Sequence, residues 1–140
     1  MKKLPLFFRT VALAVFSLLV FSFTIDKKEQ DDKLIGIWKG FEKDRQIEGV
    51  EKHWIQQRFG DGTYVIMFTT KEDCEVETFT EKGKWWTEDG KFYESSESTK
   101  DIDIYNYEVK NDEVVDFKSI RLSGENNETY IFSDYKLDLK

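Results

Sequence analysis

Trp54, Gln56 and Arg58 occupy alternate positions in the run Val50 to Phe59. Side chains of an extended chain alternate between faces, so an indole, an amide and a guanidinium share one side, with Ile55, Gln57 and Phe59 on the other. Turned into the interior of a barrel, the first face suits an amphipathic anion such as a fatty acid, with Arg58 on the carboxylate and Trp54 against the chain. The opposite arrangement buries Ile55 and Phe59 and leaves Gln56 and Arg58 outside, and it is the one that apolar burial favours. Tyr64, Trp86, Tyr105 and Tyr107, aromatics of other extended segments, complete the candidate ligand contacts.

Other chemistries lack their residues. The one histidine, His53, lies in the same run and reads as a surface or rim residue. There is no Gly-x-Ser-x-Gly elbow for a nucleophilic serine, and Gly83-Lys84 and Gly90-Lys91 have no glycine five residues earlier to build a phosphate loop. One His and one Cys leave too few soft ligands for structural zinc, which takes four. Asp101 and Asp103 lack the glycine and distal Glu of a calcium loop. Carboxylate pairs such as these, or Asp112 with Glu113, arise by chance among 28 acids, and a general acid needs an environment that raises its pKa. No catalytic residue, cofactor or metal is therefore expected; a carboxylate-based hydrolase is the residual exception. Cys74 is expected to pack as a small apolar residue in or near a strand.

These side chains must be held by strands. The only proline is Pro5, and after it the punctuation falls at Gly60-Asp61-Gly62, Glu88-Asp89-Gly90, Lys110-Asn111-Asp112 and Ser123 to Asn127, which supply residues that tolerate positive φ. Period-two patterning between them gives nine candidate strands: Leu34 to Glu42, Val50 to Phe59, Thr63 to Thr70, Cys74 to Glu81, Gly83 to Thr87, Lys91 to Ser95, Ile102 to Lys110, Glu113 to Arg121 and Glu128 to Leu137. Many short strands in so small a chain predict an all-β, antiparallel up-and-down barrel of eight or nine strands, because closure removes exposed edges. Tyr105, Tyr107 and Val109 share one face, as do Val115 and Phe117, so these two strands read as half-buried. Tyr64, Ile66 and Phe68 oppose Val65 and Met67, so the third strand is covered on both sides or contributes to an outer apolar patch.

The chain has 140 residues, enough for one domain, and a formal charge of −7. Its first 22 residues contain Lys2, Lys3 and Arg9 and no acid, so without them the charge is −10. A body of that charge repels polyphosphates, which argues against nucleic acid. The same segment runs from a basic start into the apolar stretch Val11 to Phe23, shorter than a membrane span, with Val20 and Ser22 placed for a signal peptidase. The expected organisation is a signal peptide over 1–22, a charged leader over 23–33 and the barrel domain over 34–140. No cysteine stands at the cut to carry a lipid. The expectation is thus an exported protein, periplasmic or extracellular, without a lipid anchor and without a membrane span after cleavage.

The opening strand reads Leu34-Ile35-Gly36-Ile37-Trp38-Lys39-Gly40, and Phe59 to Tyr64 and Gly83-Lys84-Trp85-Trp86 follow at later turns. This pattern resembles the lipocalins, of the calycin superfamily, and their small bacterial exported relatives. The resemblance implies that Gly36 lets the chain pass close to a neighbour, that Trp38 closes one end of the barrel, and that Arg121, the sole late arginine, stacks on it. It also implies capacity for a small hydrophobic or amphipathic ligand in the barrel mouth. The alternative is a filled barrel that acts through its outer surface on a protein partner, as an interaction or inhibitor module.

Overall fold

The computed structural model describes residues 28–43, 49–123 and 130–138. The expected signal peptide, most of the Ser123 to Asn127 turn and the start of the ninth candidate strand lie outside them. Eight strands run in order, β1 (Gly36–Lys43), β2 (Val50–Arg58), β3 (Thr63–Glu72), β4 (Glu75–Glu88), β5 (Lys91–Ser96), β6 (Ile102–Asn111), β7 (Val114–Arg121) and β8 (Ile131–Lys136). Each pairs antiparallel with the next, and β8 returns to β1 through Trp38↔Lys136 and Lys39↔Tyr135, closing the barrel. No helix among the described residues is long and apolar enough to cross a membrane.

Eight strands stand where nine were expected because Cys74 to Glu81 and Gly83 to Thr87 are one element. Gly83 marks no break. It faces inward, where a Cβ would strike the Ser95 carbonyl and the Tyr64 ring, so the strand continues and the glycine admits its neighbours. Cys74 sits exposed in the turn that follows Asp73 (φ 50°), outside any strand and not packed as expected.

Alternation divides the barrel along its length. Its lower end is filled by Trp38, Trp85, Phe92, Val115 and Phe117, all at most 1% exposed. Residues 28–33, the described part of the segment expected as a charged leader, run along this end. Glu29 exchanges backbone hydrogen bonds with Thr87 at 3.0 and 2.6 Å, Asp31 accepts from the Tyr107 hydroxyl, and a 3-10 turn over Asp32–Leu34 drives Leu34 into the core. Short connections at Gly60-Asp61-Gly62, Asp89-Gly90 and Asp112-Glu113 complete the closed end. The connection 97–101 is at the opposite mouth, where the described ends of β1, β2, β7 and β8 also point.

Trp38 is fully buried in the lower end, its Nε1 donating to the Leu34 carbonyl at 2.9 Å. Gly36 serves β1 through its backbone, at φ 135°, and not through close approach to a neighbour: the nearest atom to a Cβ there would be the Lys136 side chain at 3.5 Å. Arg121 is exposed and does not reach Trp38. The cations over that indole are Lys136 of β8, 5.5 Å from the ring centre, and Arg58 of β2, at 5.8 Å from inside. The arginine arrives from the second strand because alternation carries β2 inward at positions 54, 56 and 58.

Gly40 bears on the next level of structure, since a Cβ there would overlap the Trp54 indole that lies across it. Gly40→Ala is expected to destabilise the barrel by about 1–3 kcal/mol through overpacking, read as a lower urea midpoint at unchanged slope. An unchanged midpoint would show that Trp54 has room to move.

Candidate functional site

The interior face of β2 is Trp54, Gln56 and Arg58, all buried, while Ile55 and Phe59 are exposed. The arrangement that apolar burial favoured is therefore reversed. The reason is that three polar groups find partners inside. Arg58 Nη2 donates to Asp134 of β8 and to Gln56 Oε1, the latter at 2.8 Å, and Trp54 Nε1 donates to Asp134 Oδ1 at 2.8 Å. Arg58 and Asp134 are 1% and 0% exposed. The other guanidinium nitrogens, Nε and Nη1, have no hydrogen-bond partner among the described residues. The group instead lies over Phe92 and Phe117, each 5.1 Å from ring centre to Cζ, where the ring faces attract a cation.

This network forms the floor of a cavity. Above it the barrel opens into about 310 Å³ bounded by Trp54, Gln56, Ile66, Phe68, Phe79, Tyr105, Tyr130 and Phe132, with Lys52, Glu81, Glu94, Asp103, Leu122 and Ser123 towards the mouth. Phe68 stacks on Phe79 at 5.0 Å, and Phe132 meets the edges of Trp54 and Tyr105 at 5.4 and 5.6 Å. The walls are thus aromatic and mutually braced. A second space of about 200 Å³ adjoins the first along Glu81, Glu94, Asp103 and Ser123, and adds Tyr64, Ser96, Thr99 and Asp101.

The carboxylates give the mouth its electrostatic character. Glu94 and Asp103 are direct cross-strand partners on β5 and β6, and Glu81 stands beside Ile66 on β4. Gln56 Nε2 donates to Glu94 Oε2 at 3.1 Å, the Tyr64 hydroxyl to Glu81 at 2.7 Å, and the Ser123 amide to Asp103 at 2.6 Å. Burial pushes the Glu94 carboxyl up to about 7, against the lowering effect of Arg58 and its bond from Gln56, while Glu81 and Asp103 raise it further. Burial likewise holds the Tyr105 and Tyr64 hydroxyls above their ordinary value, each helped by Glu94. Glu94 thus changes charge near neutrality while facing an open space.

Of the residues singled out in the sequence, Trp54, Gln56 and Tyr105 line the main cavity, and Tyr64 lines its polar annex. Arg58 lies beneath, committed to Asp134, so it is not the partner of a bound carboxylate. Tyr107 is at the closed end, bonded to Asp31 at 2.9 Å. Trp86 faces outward, stacked on Tyr93 at 5.2 Å and capped by the Lys28 ammonium at 4.0 Å. Neither lines the cavity. Glu81, Glu94, Asp103 and Asp134 were passed over among the many acids, although period two from Phe92 and Tyr105 carries Glu94 and Asp103 inward. His53 is on the outer face, 3.7 Å from Glu51, as expected.

Removing one member of a buried ion pair strands the other, at a cost of about 3–5 kcal/mol. Arg58→Met and Asp134→Leu are each expected to show this in urea unfolding, and the double variant to lose less than the two single losses combined; simple additivity would show that the two side chains are not coupled. For Glu94 the folded value of about 7 lies above the ordinary 4.5, so the folded state keeps a proton that the unfolded chain has released. That contribution to stability is full below 4.5 and is lost as the pH rises through about 7. Glu94→Gln is expected to flatten the fall in urea midpoint across this window; an identical fall would place its origin elsewhere.

No protein-family model matches this chain, and no curated protein matches it.

Proposed function

We propose that this chain is an exported, lipocalin-like binding protein that holds one small amphipathic molecule in the open half of its barrel. The observation that carries the reading is the cavity of about 310 Å³ above the Arg58–Asp134 floor, with aromatic side chains on its walls and polar groups at its mouth. That volume, lining and position match the common form of small-molecule sites, in which apolar walls supply affinity and a few polar groups fix orientation. The basic and apolar pattern of residues 1–22 supports export, and no catalytic role is assigned. The acidic body and acidic mouth both disfavour nucleic acid.

A second reading has an observation of its own. Tyr135, Lys39, Ile55 and Met67 form one row across β8, β1, β2 and β3 on the outer face, and Phe41 beside them is 68% exposed. Such a row fits contact with a protein partner.

Native mass spectrometry of the protein purified from its own host separates the two. A single small-molecule adduct is expected, absent from Ile66→Trp, whose indole would occupy the cavity. A retained protein complex without such an adduct would favour the outer face. An unliganded barrel in both proteins, with no small molecule bound on addition, would remove the binding reading.

A further inference from the structure

The residues common to the large cavity and its annex are Glu81, Glu94, Asp103 and Ser123. A molecule whose apolar body lies against Trp54, Phe68 and Phe132 therefore presents its polar end to three carboxylates. Arg58, the cation expected to receive an anion, is spent below the floor on Asp134. Among the described residues the cation on the lining is Lys52; it lies 5.1 Å over the Phe68 ring and shows that an ammonium is accommodated on these aromatic faces. Ser123 Oγ is buried at the same junction without a hydrogen-bond partner among the described residues.

From this geometry, and resting on the binding function proposed above, we infer that the cavity selects an organic ammonium ligand, with an aromatic or alicyclic body in the main cavity and its N–H donors on Glu81, Glu94 and Asp103. A carboxylate ligand meets three like charges there. A neutral ligand leaves them imperfectly solvated in a half-enclosed space.

Binding of this kind is linked to pH. The groups facing Glu94 are Arg58 and Gln56 from β2, Tyr64 from β3, Glu81 from β4, and Asp103 and Tyr105 from β6. Of these, Glu94 is the group held near 7. An ammonium favours its ionised form, so the ligand is gripped above neutrality and loosened below it, with a proton released on binding.

The test is calorimetric titration with three matched probes, 2-(1-naphthyl)ethylamine, 2-(1-naphthyl)ethanol and 1-naphthaleneacetic acid. The amine is charged throughout the range used. At pH 8 it is expected to bind at least tenfold more tightly than either analogue, and severalfold more weakly at pH 5.5 than at pH 8. Glu94→Gln keeps the shape and the bond from Gln56 but not the charge, and should cut the amine-to-alcohol affinity ratio about tenfold and abolish its pH dependence. Asp103→Asn, which retains an acceptor for the Ser123 amide, should cut the ratio similarly. If the alcohol or the acid binds as tightly as the amine, or the ratio survives both substitutions, the ammonium preference is wrong and the cavity reading stands. If none of the three binds, both fall.

Discussion

The ion pair between Arg58 and Asp134 organises this barrel. It spans the interior from β2 to β8, with both charges at most 1% exposed. Two ions taken out of water cost several kcal/mol each, so such a pair persists only where its remaining valences are met. Here Asp134 accepts from Trp54, Arg58 donates to Gln56, and the guanidinium lies over the rings of Phe92 and Phe117. The aromatic abundance of the chain thus does more than fill volume: it solvates a cation. A one-residue slip of β2 against its neighbours would send Trp54, Gln56 and Arg58 to the outside and away from Asp134, so the network also fixes register.

The same pair partitions the interior. Below it, Trp38, Trp85, Phe92, Val115 and Phe117 are buried together with Leu34, beside the strap of residues 28–31. Above it, the strands extend beyond the packed layer. Phe68 and Phe79 line a space there that no side chain of the described residues fills, and carboxylates are prominent among the polar residues at its mouth. Because Arg58, the interior guanidinium among the described residues, is already neutralised, the charged groups left on the lining of the open half are Glu81, Glu94 and Asp103, with Lys52. The charges are therefore balanced at the floor and carboxylate-rich above it, and the ammonium preference proposed above follows from where the arginine is spent.

Much of the architecture was legible beforehand. Period-two alternation located the extended segments, and glycine with Asp or Asn marked the short turns, because both signals are local. The inward faces of β6 and β7, carrying Tyr105 and Phe117, followed from the same alternation. Errors arose where a residue type serves two ends. Gly83 resembles a strand break yet permits close packing inside one long strand. Ile55 and Phe59 look like core and face outward, because the pairing of Arg58 with an acid 76 residues away outweighs their burial. Arg121, late in the chain, was matched to Trp38 by position, whereas Lys136 and Arg58 reach that ring in space.

The amino-acid sequence by itself determined the strand periodicity, the turns and the acidic surplus, and with them the class of fold, since each depends on neighbours within a few residues. Only the tertiary structure decided which face of β2 turns inward, which acids among 28 gather at the mouth, and that a cavity remains above a filled floor. These depend on contacts between side chains far apart along the chain, and a buried charge takes its meaning from the partner that folding brings to it.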